Sequence, residues 1–170
     1  MTTLRLSAVF PVYYNAGSLR KTYDAVSRVL EAHGSVASYE CIFVDDGSGD
    51  SSLAELLALQ SEHPQTVKVV ELARNFGQVP ALQAGSAIAN GDVILNMSAD
   101  LQDPPELISQ MLDLYLSKGV DIVVGTRASR DESMLRRGTS AVFYWLLRQP
   151  STCLAYDVGE AVTLYLPLGE

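Results

Sequence analysis

Two cysteines, two histidines and one tryptophan in 170 residues leave several kinds of chemistry with little to work with. With only Cys41 and Cys153, no disulfide framework or cysteine-rich zinc site is expected, and a reducing cytosol is the expected compartment. Cys41 lies inside an apolar run and is expected to behave as a small hydrophobe. No stretch approaches the ~20 apolar residues that a membrane-spanning helix requires. Residues 1–6 carry no apolar signal-peptide core. Membrane contact is therefore expected only at the surface, or through a segment outside this chain. Acids outnumber bases twenty to twelve, for a net charge of −8. That argues against nucleic acid as a partner, because phosphate backbones are neutralised by a basic face.

What is present reads as one globular domain with a real core: 48% hydrophobic and 19% charged residues. The few bases are unevenly placed. Arg127, Arg130, Arg136, Arg137 and Arg148 share one stretch whose only acids are Asp131 and Glu132. A cationic patch on an acidic protein points to a specific anionic partner, although a solvated helix face has the same composition.

Strand-like and helix-like stretches alternate along the chain. Strands are expected at 6–12, 39–44, 67–72, 93–96 and 121–125. Helices are expected from Leu19, with Tyr23, Val26 and Leu30 inward, and at 51–62, with Leu53, Leu56 and Leu57 on one side. Others follow at 78–89, from Pro104-Pro105 with Leu107, Met111 and Leu114 inward, and at 133–147. Such alternation implies crossovers and an α/β fold with a mainly parallel sheet flanked by helices. Ligands bind at the carboxyl ends of such strands. Polar clusters sit at those ends: 13–17, 45–48, 73–78, 98–103 and 126–130. Residues 1–147 are read as the catalytic domain and 148–170 as a divergent or truncated tail, within which 151–170 fit an edge strand, an ordered tail or an unusual terminus.

Each cluster has a chemical reading. In Val44-Asp45-Asp46-Gly47-Ser48, a carboxylate at a strand end suits a nucleobase imide or a ribose hydroxyl, and the glycine allows a tight turn. The plainer reading, that Asp50 or Ser51 caps the next helix, is compatible with it. In Ser98-Ala99-Asp100-Leu101-Gln102-Asp103, an extended segment would project Ser98, Asp100 and Gln102 to one side. Oxygen ligands at that spacing suit Mg²⁺ or Mn²⁺ beside a diphosphate. Asp103 is also placed to cap the following helix. Arg74-Asn75 sets a cation and an amide at the same edge, and the arginines at 127 and 130 suit phosphate oxygens. His33 and His63 fall outside every cluster and read as structural.

The ordered set resembles the family 2 glycosyltransferases of the GT-A fold, in particular the branch with dolichyl-phosphate mannose synthases and undecaprenyl-phosphate glycosyltransferases. The matching strings are Val9-Phe10-Pro11-Val12-Tyr13-Tyr14-Asn15, Phe43-Val44-Asp45-Asp46-Gly47-Ser48, Arg74-Asn75-Phe76-Gly77, Ala99-Asp100-Leu101-Gln102-Asp103-Pro104-Pro105 and Gly125-Thr126-Arg127 through Ser133. The resemblance implies that Pro11, Tyr13, Asn15, Asp45, Asp46 and Arg74 bind the nucleotide. It further implies that Asp100 and Gln102 hold Mg²⁺ or Mn²⁺, and that Asp100, Arg127 and Arg130 act on the donor phosphates. The implied reaction is inverting transfer from a UDP- or GDP-sugar to a polyprenyl phosphate, for a cell-envelope polysaccharide. The implied place is the cytoplasm at the inner membrane face, with peripheral membrane contact and a homo-oligomer compatible.

Three positions depart from the family pattern. Ser98 stands where an aspartate is usual, Ala16 where an acid often follows Asn15, and residues 151–170 match only at Asp157-Val158-Gly159. A nucleotide-diphosphate-binding domain without turnover is therefore the alternative. A dinucleotide-dependent oxidoreductase is disfavoured, because Tyr13-Tyr14-Asn15-Ala16-Gly17 replaces a G-x-G-x-x-G loop.

Overall fold

The computed structural model describes residues 3–125, 153–155 and 162–165. The elements run β1 (Leu4–Val12), α1 (Leu19–Ala32), β2 (Val36–Asp45), α2 (Ser52–Glu62), β3 (Val67–Glu71) and α3 (Gln78–Ala87). They continue with β4 (Val93–Asn96), α4 (Leu107–Lys118), β5 (Ile122–Gly125), β6 (Cys153–Ala155) and β7 (Val162–Tyr165). The described strands form one sheet in the order β3-β2-β1-β4-β7-β5-β6. Every described pairing is parallel except the two that β7 makes.

Strand periodicity sorts the core onto two faces. Leu6, Ala8, Phe10 and Val12 of β1, with Cys41 and Phe43 of β2, face α1, α2 and α4. Phe10 and Phe43 stack there with ring centroids 4.7 Å apart. Val9, Ile42, Val44 and Ile94 face the other way, toward Ala81 of α3. Gly85 lets α3 approach that face, since a Cβ there would collide with Val9 and Val44.

Two helix faces differ from expectation. In α2 the buried residues are Ser52, Leu56 and Leu59, and Leu57 is half exposed. At 3.6 residues per turn, Leu53 and Leu57 rotate away from a stripe centred on Leu56 and Leu59. In α4 the buried set is Ile108, Met111 and Leu112, while Leu107 and Leu114 are half-buried. The helix also begins later than its prolines, with Glu106 at the N-cap, so Asp103 is not the capping residue. The expected 133–147 helix lies outside the described residues.

The C-terminal strands are the larger correction. Cys153–Ala155 does take the edge of the sheet, but Val162–Tyr165 is interior, antiparallel to both β4 and β5. Leu164 is fully buried against the α1 face. The pairing of Leu164 with Leu95 joins residues far apart in sequence, which local periodicity cannot register.

Candidate functional site

β1, β2, β3, β4 and β5 all run the same way, so their carboxyl ends share one edge of the sheet, where the loops after β1 to β4 meet. The ends are not level. Val12 pairs with Asp45, but β4 leaves the ladder at Asn96, opposite Val9. The step opens a cleft of about 270 Å³ lined by residues of four loops: Tyr13 and Asn15, Asp46, Asn75 and Gln78, and Ser98 and Asp100.

The loop after β1 is held by side chains. Five successive backbone N–H groups donate to side-chain oxygens: Tyr13 to Asn15 Oδ1 at 2.9 Å, Tyr14 to Ser48 Oγ at 3.1 Å, Asn15 to Ser52 Oγ at 3.0 Å, Ala16 to Asp50 Oδ2 at 3.3 Å and Gly17 to Glu55 Oε2 at 2.7 Å. Tyr14 sits in the left-handed region at φ 56°. A non-glycine residue there costs on the order of 1–3 kcal/mol and persists only where its surroundings over-determine it. Asp50 also accepts the N–H of Ser52 at 3.0 Å, although the N-cap of α2 is Ser51, which makes no side-chain capping bond. The hydrogen bond from the Ser52 hydroxyl, more than that from its N–H, holds the Asp50 carboxyl below its ordinary range.

At the end of β2 the two aspartates part company. Asp46, 3% exposed, accepts the N–H of Phe76 at 2.7 Å and of Gly77 at 2.9 Å, and so ties β2 to the loop before α3. Each oxygen keeps a second lone pair. Asp45 is buried below and does not line the cleft. Its Oδ2 accepts the N–H of Ser48 at 3.3 Å, and its Oδ1 has no hydrogen-bond partner among the described residues. Gly47 between Asp46 and Ser48 has φ 70°, and a Cβ on it would lie 2.6 Å from the carbonyl carbon of Arg74. Arg74 itself turns its guanidinium over the ring of exposed Phe76, 4.3 Å from the centroid, and does not line the cleft.

After Ser98 the segment 99–103 turns and does not run on as an extended strand, with Leu101 at φ 59°. The reversal at Leu101 breaks the alternation on which a shared side for Asp100 and Gln102 depended. Asp100 faces the cleft, and its Oδ1 accepts the N–H of Gln102 at 3.1 Å. Gln102 is exposed and is not a lining residue. Ser98 donates its hydroxyl to the buried Asp103 at 3.1 Å. The turn is anchored to α1, whose Ser18 and Thr22 hydroxyls donate to the carbonyl of Ala99 at 3.1 and 2.9 Å.

Of the sequence-expected residues, the fold thus brings Pro11, Tyr13, Asn15, Asp46 and Asp100 to one cleft. It leaves Asp45, Arg74 and Gln102 off its lining; Arg127 and Arg130 lie outside the described residues. None of the described lining residues is basic, and two are carboxylates. No group of three His, Cys, Asp or Glu able to hold a metal occurs among the described residues. One carboxylate in an acidic cleft nonetheless fits Mg²⁺ or Mn²⁺, which bind through one or two carboxylates and complete their shells with phosphate and water.

Ser52 and Glu55 were missed. Their S-x-x-E spacing at the head of a helix has the form of a capping box for that same helix. Both side chains instead serve the loop after β1. No local pattern could have found them, because their partners lie more than thirty residues away in the chain.

Comparison with known proteins follows this geometry. The model of the family "Glycosyl transferase family 2" matches residues 7–156. An uncharacterized glycosyltransferase of Synechocystis sp. is 40% identical over 143 residues, covering 84% of this chain and 44% of that protein. The undecaprenyl-phosphate 4-deoxy-4-formamido-L-arabinose transferase of Pectobacterium atrosepticum is 37% identical over 162 residues, covering 94% of this chain and 48% of its own. The chain therefore spans about half the length of these relatives. In fold it is similar to the mannosyltransferase PcManGT of Pyrobaculum calidifontis, solved with GDP-Man and Mn²⁺, with a TM-score of 0.67 at 18% identity over 98% of this chain and 45% of that one. It is also similar to glucosyl-3-phosphoglycerate synthase of Mycobacterium tuberculosis, solved with Mn²⁺ and UDP, with a TM-score of 0.66 at 19% identity over 96% of this chain and 57% of that one.

Proposed function

The chain belongs to glycosyl transferase family 2 and has the GT-A fold, and from that premise we propose that it carries the donor half of a metal-dependent inverting sugar transfer to a polyprenyl phosphate. The observation that carries this reading is the placement of Asp46 and Asp100 on one cleft without a basic lining residue among those described. An acidic cleft repels a bare diphosphate and accepts one that arrives with a cation. A divalent cation there stabilises the nucleoside diphosphate as a leaving group. Asp100 would hold the cation, with Gln102 joining only after a movement of its turn. Pro11, Tyr13, Asn15 and Asp46 would hold the nucleoside, and Asp45 would support Asp46 from below. Arg127 and Arg130 would take the phosphates.

The donor is a UDP- or GDP-sugar, in line with the nucleotides bound by the two fold neighbours. The acceptor is a polyprenyl phosphate, the class named for the Pectobacterium relative. A phosphomonoester is largely dianionic near neutral pH, so it needs little help from a general base. Contact with the membrane would be peripheral and on the cytoplasmic side; no described helix is long and apolar enough to cross a membrane. The alternative, nucleotide binding without turnover, is favoured by one observation: Ser98 takes a cleft position and its hydroxyl is engaged by Asp103.

A thermal-shift panel of UDP, GDP, TDP and CDP with and without Mn²⁺ tests the binding step, since a ligand of the native state raises Tm by mass action. One nucleotide shifting Tm only with Mn²⁺ supports the proposal; no shift with any nucleotide removes it. Transfer of labelled sugar to undecaprenyl phosphate then separates the active enzyme from the binding-only alternative.

A further inference from the structure

The amides of residues 13–17 are satisfied by neither a helix nor a strand ladder. All five donate to side chains, and four of the five acceptors come from Ser48, Asp50, Ser52 and Glu55. This comb of acceptors specifies the path of a loop that contributes Tyr13 and Asn15 to the cleft and holds Tyr14 at positive φ. Because the amides are already committed, the loop is a shaped wall and not an anion cradle.

Glu55 closes the comb. Its Oε2 accepts from Gly17 at 2.7 Å and its Oε1 from Arg20 at 3.2 Å, so one carboxylate spans the loop end and the first turn of α1. A carboxylate at that position is stabilised by the unpaired N–H groups and the positive end of the helix. Glu55 is not a lining residue of the cleft.

We infer that Glu55 is a positioning residue for the nucleotide: through Gly17 it fixes the loop that presents Tyr13 and Asn15. This rests on the reading of the cleft as a nucleotide site. A helix cap of stability value alone would make the same two hydrogen bonds, so the test must separate the two.

Glu55→Gln keeps the size but offers one acceptor oxygen and sets an NH₂ against a backbone donor. Ser52→Ala removes the acceptor of the Asn15 amide and leaves Glu55 in place. Two readouts apply: hydrogen exchange at the amides of residues 13–17 in the unliganded protein, and calorimetric affinity for UDP or GDP with Mn²⁺. Both variants are expected to speed exchange at Tyr13 through Ala16 while the amides of β2 stay protected. Glu55→Gln is expected to weaken nucleotide binding about tenfold, the factor set by one hydrogen bond to a charged group. Faster exchange confined to Gly17 and Arg20, or unchanged affinity, reduces Glu55 to a helix cap and overturns the inference. If the unaltered protein binds neither UDP nor GDP, the functional reading fails, and the exchange pattern alone decides whether Glu55 positions the loop. Should Glu55→Gln not fold, Glu55→Asp, which keeps the charge and shortens the reach to the Gly17 amide, decides by the same two readouts.

Discussion

Asp46 Oδ2 lies 2.9 Å from the backbone nitrogen of Gly77, thirty-one residues away, while its other oxygen holds the amide of Phe76. One buried carboxylate therefore welds the end of β2 to the entry of α3, and both sides of that weld line the cleft. Asp46→Asn replaces one acceptor with a donor that faces an N–H. A loss of about 1–3 kcal/mol is expected, the cost of a buried polar group left unsatisfied. Urea unfolding measures it, and a loss within error would mean that the weld is not needed.

Gly47 has no room for a side chain. Its φ of 70° disfavours any other residue, and a Cβ would meet the Arg74 carbonyl carbon at 2.6 Å. Gly47→Ala is expected to destabilise by about 1–3 kcal/mol or more, through strain and displacement of the 74–77 loop. Gly34, where a Cβ meets nothing within 4 Å and no positive φ is recorded, is the matched control. Gly34→Ala is expected to be near neutral in the same melt.

Asp100 is tested best by Asp100→Asn, because an amide oxygen can still accept the Gln102 N–H and preserve the turn. The variant is expected to keep its Tm and to lose more than about tenfold of its Mn²⁺-dependent nucleotide affinity, since even partners of metal ligands are worth tenfold or more. Calorimetry with and without Mn²⁺ reads this directly. Equal affinity for both proteins in Mn²⁺ would remove Asp100 from the cation site.

Ser98→Asp would set a second carboxylate beside Asp103, in place of the present 3.1 Å hydrogen bond. Two like charges at that range cannot both ionise freely. The variant is expected to be less stable at neutral pH without a cation, by about 0.5–3 kcal/mol. Mn²⁺ or acidification is expected to restore part of the loss. A melt that ignores both would show that the two side chains do not meet.

Glu40 supplies the pH prediction. Burial pushes its carboxyl up, but hydrogen bonds from Lys68, Ser7 and the Asn90 amide outweigh this and hold it below its ordinary value. A folded-state value below the unfolded one means that these contacts stabilise fully above the ordinary glutamate range, near ~4.3. That stability is lost as pH falls through the depressed folded value. Glu40→Gln is expected to flatten the decline of stability across this acid window, as followed by urea melts at stepped pH. An unchanged slope would mean that Glu40 is not depressed.

Much of the site was legible because its parts sit at strand ends. Tyr13, Asn15, Asp46 and Asp100 reach one cleft from polar strings that follow apolar runs, and Pro11 joins them from within β1. Three residues are oriented differently from what the strings suggested. Gln102 was aligned with Asp100 on the premise of an extended segment, and the left-handed turn at Leu101 separates them. Asp45 was paired with Asp46, yet it is buried and does not line the cleft. Arg74 was aimed at the ligand, and it stacks on Phe76.

The sequence by itself determined the succession of strands and helices, the mainly parallel sheet and the edge at which the polar loops gather. Those follow from periods of two and 3.6 residues and from chain direction, all of which are local. Tertiary structure alone decided that β7 slots between β4 and β5, that Glu55 of α2 holds the Gly17 amide, and that Asp46 holds the amides of Phe76 and Gly77. Each of these depends on a backbone group or carboxylate finding a partner outside its own element. Such pairings are settled by packing and hydrogen-bond satisfaction in three dimensions, and no repeat along the chain records them.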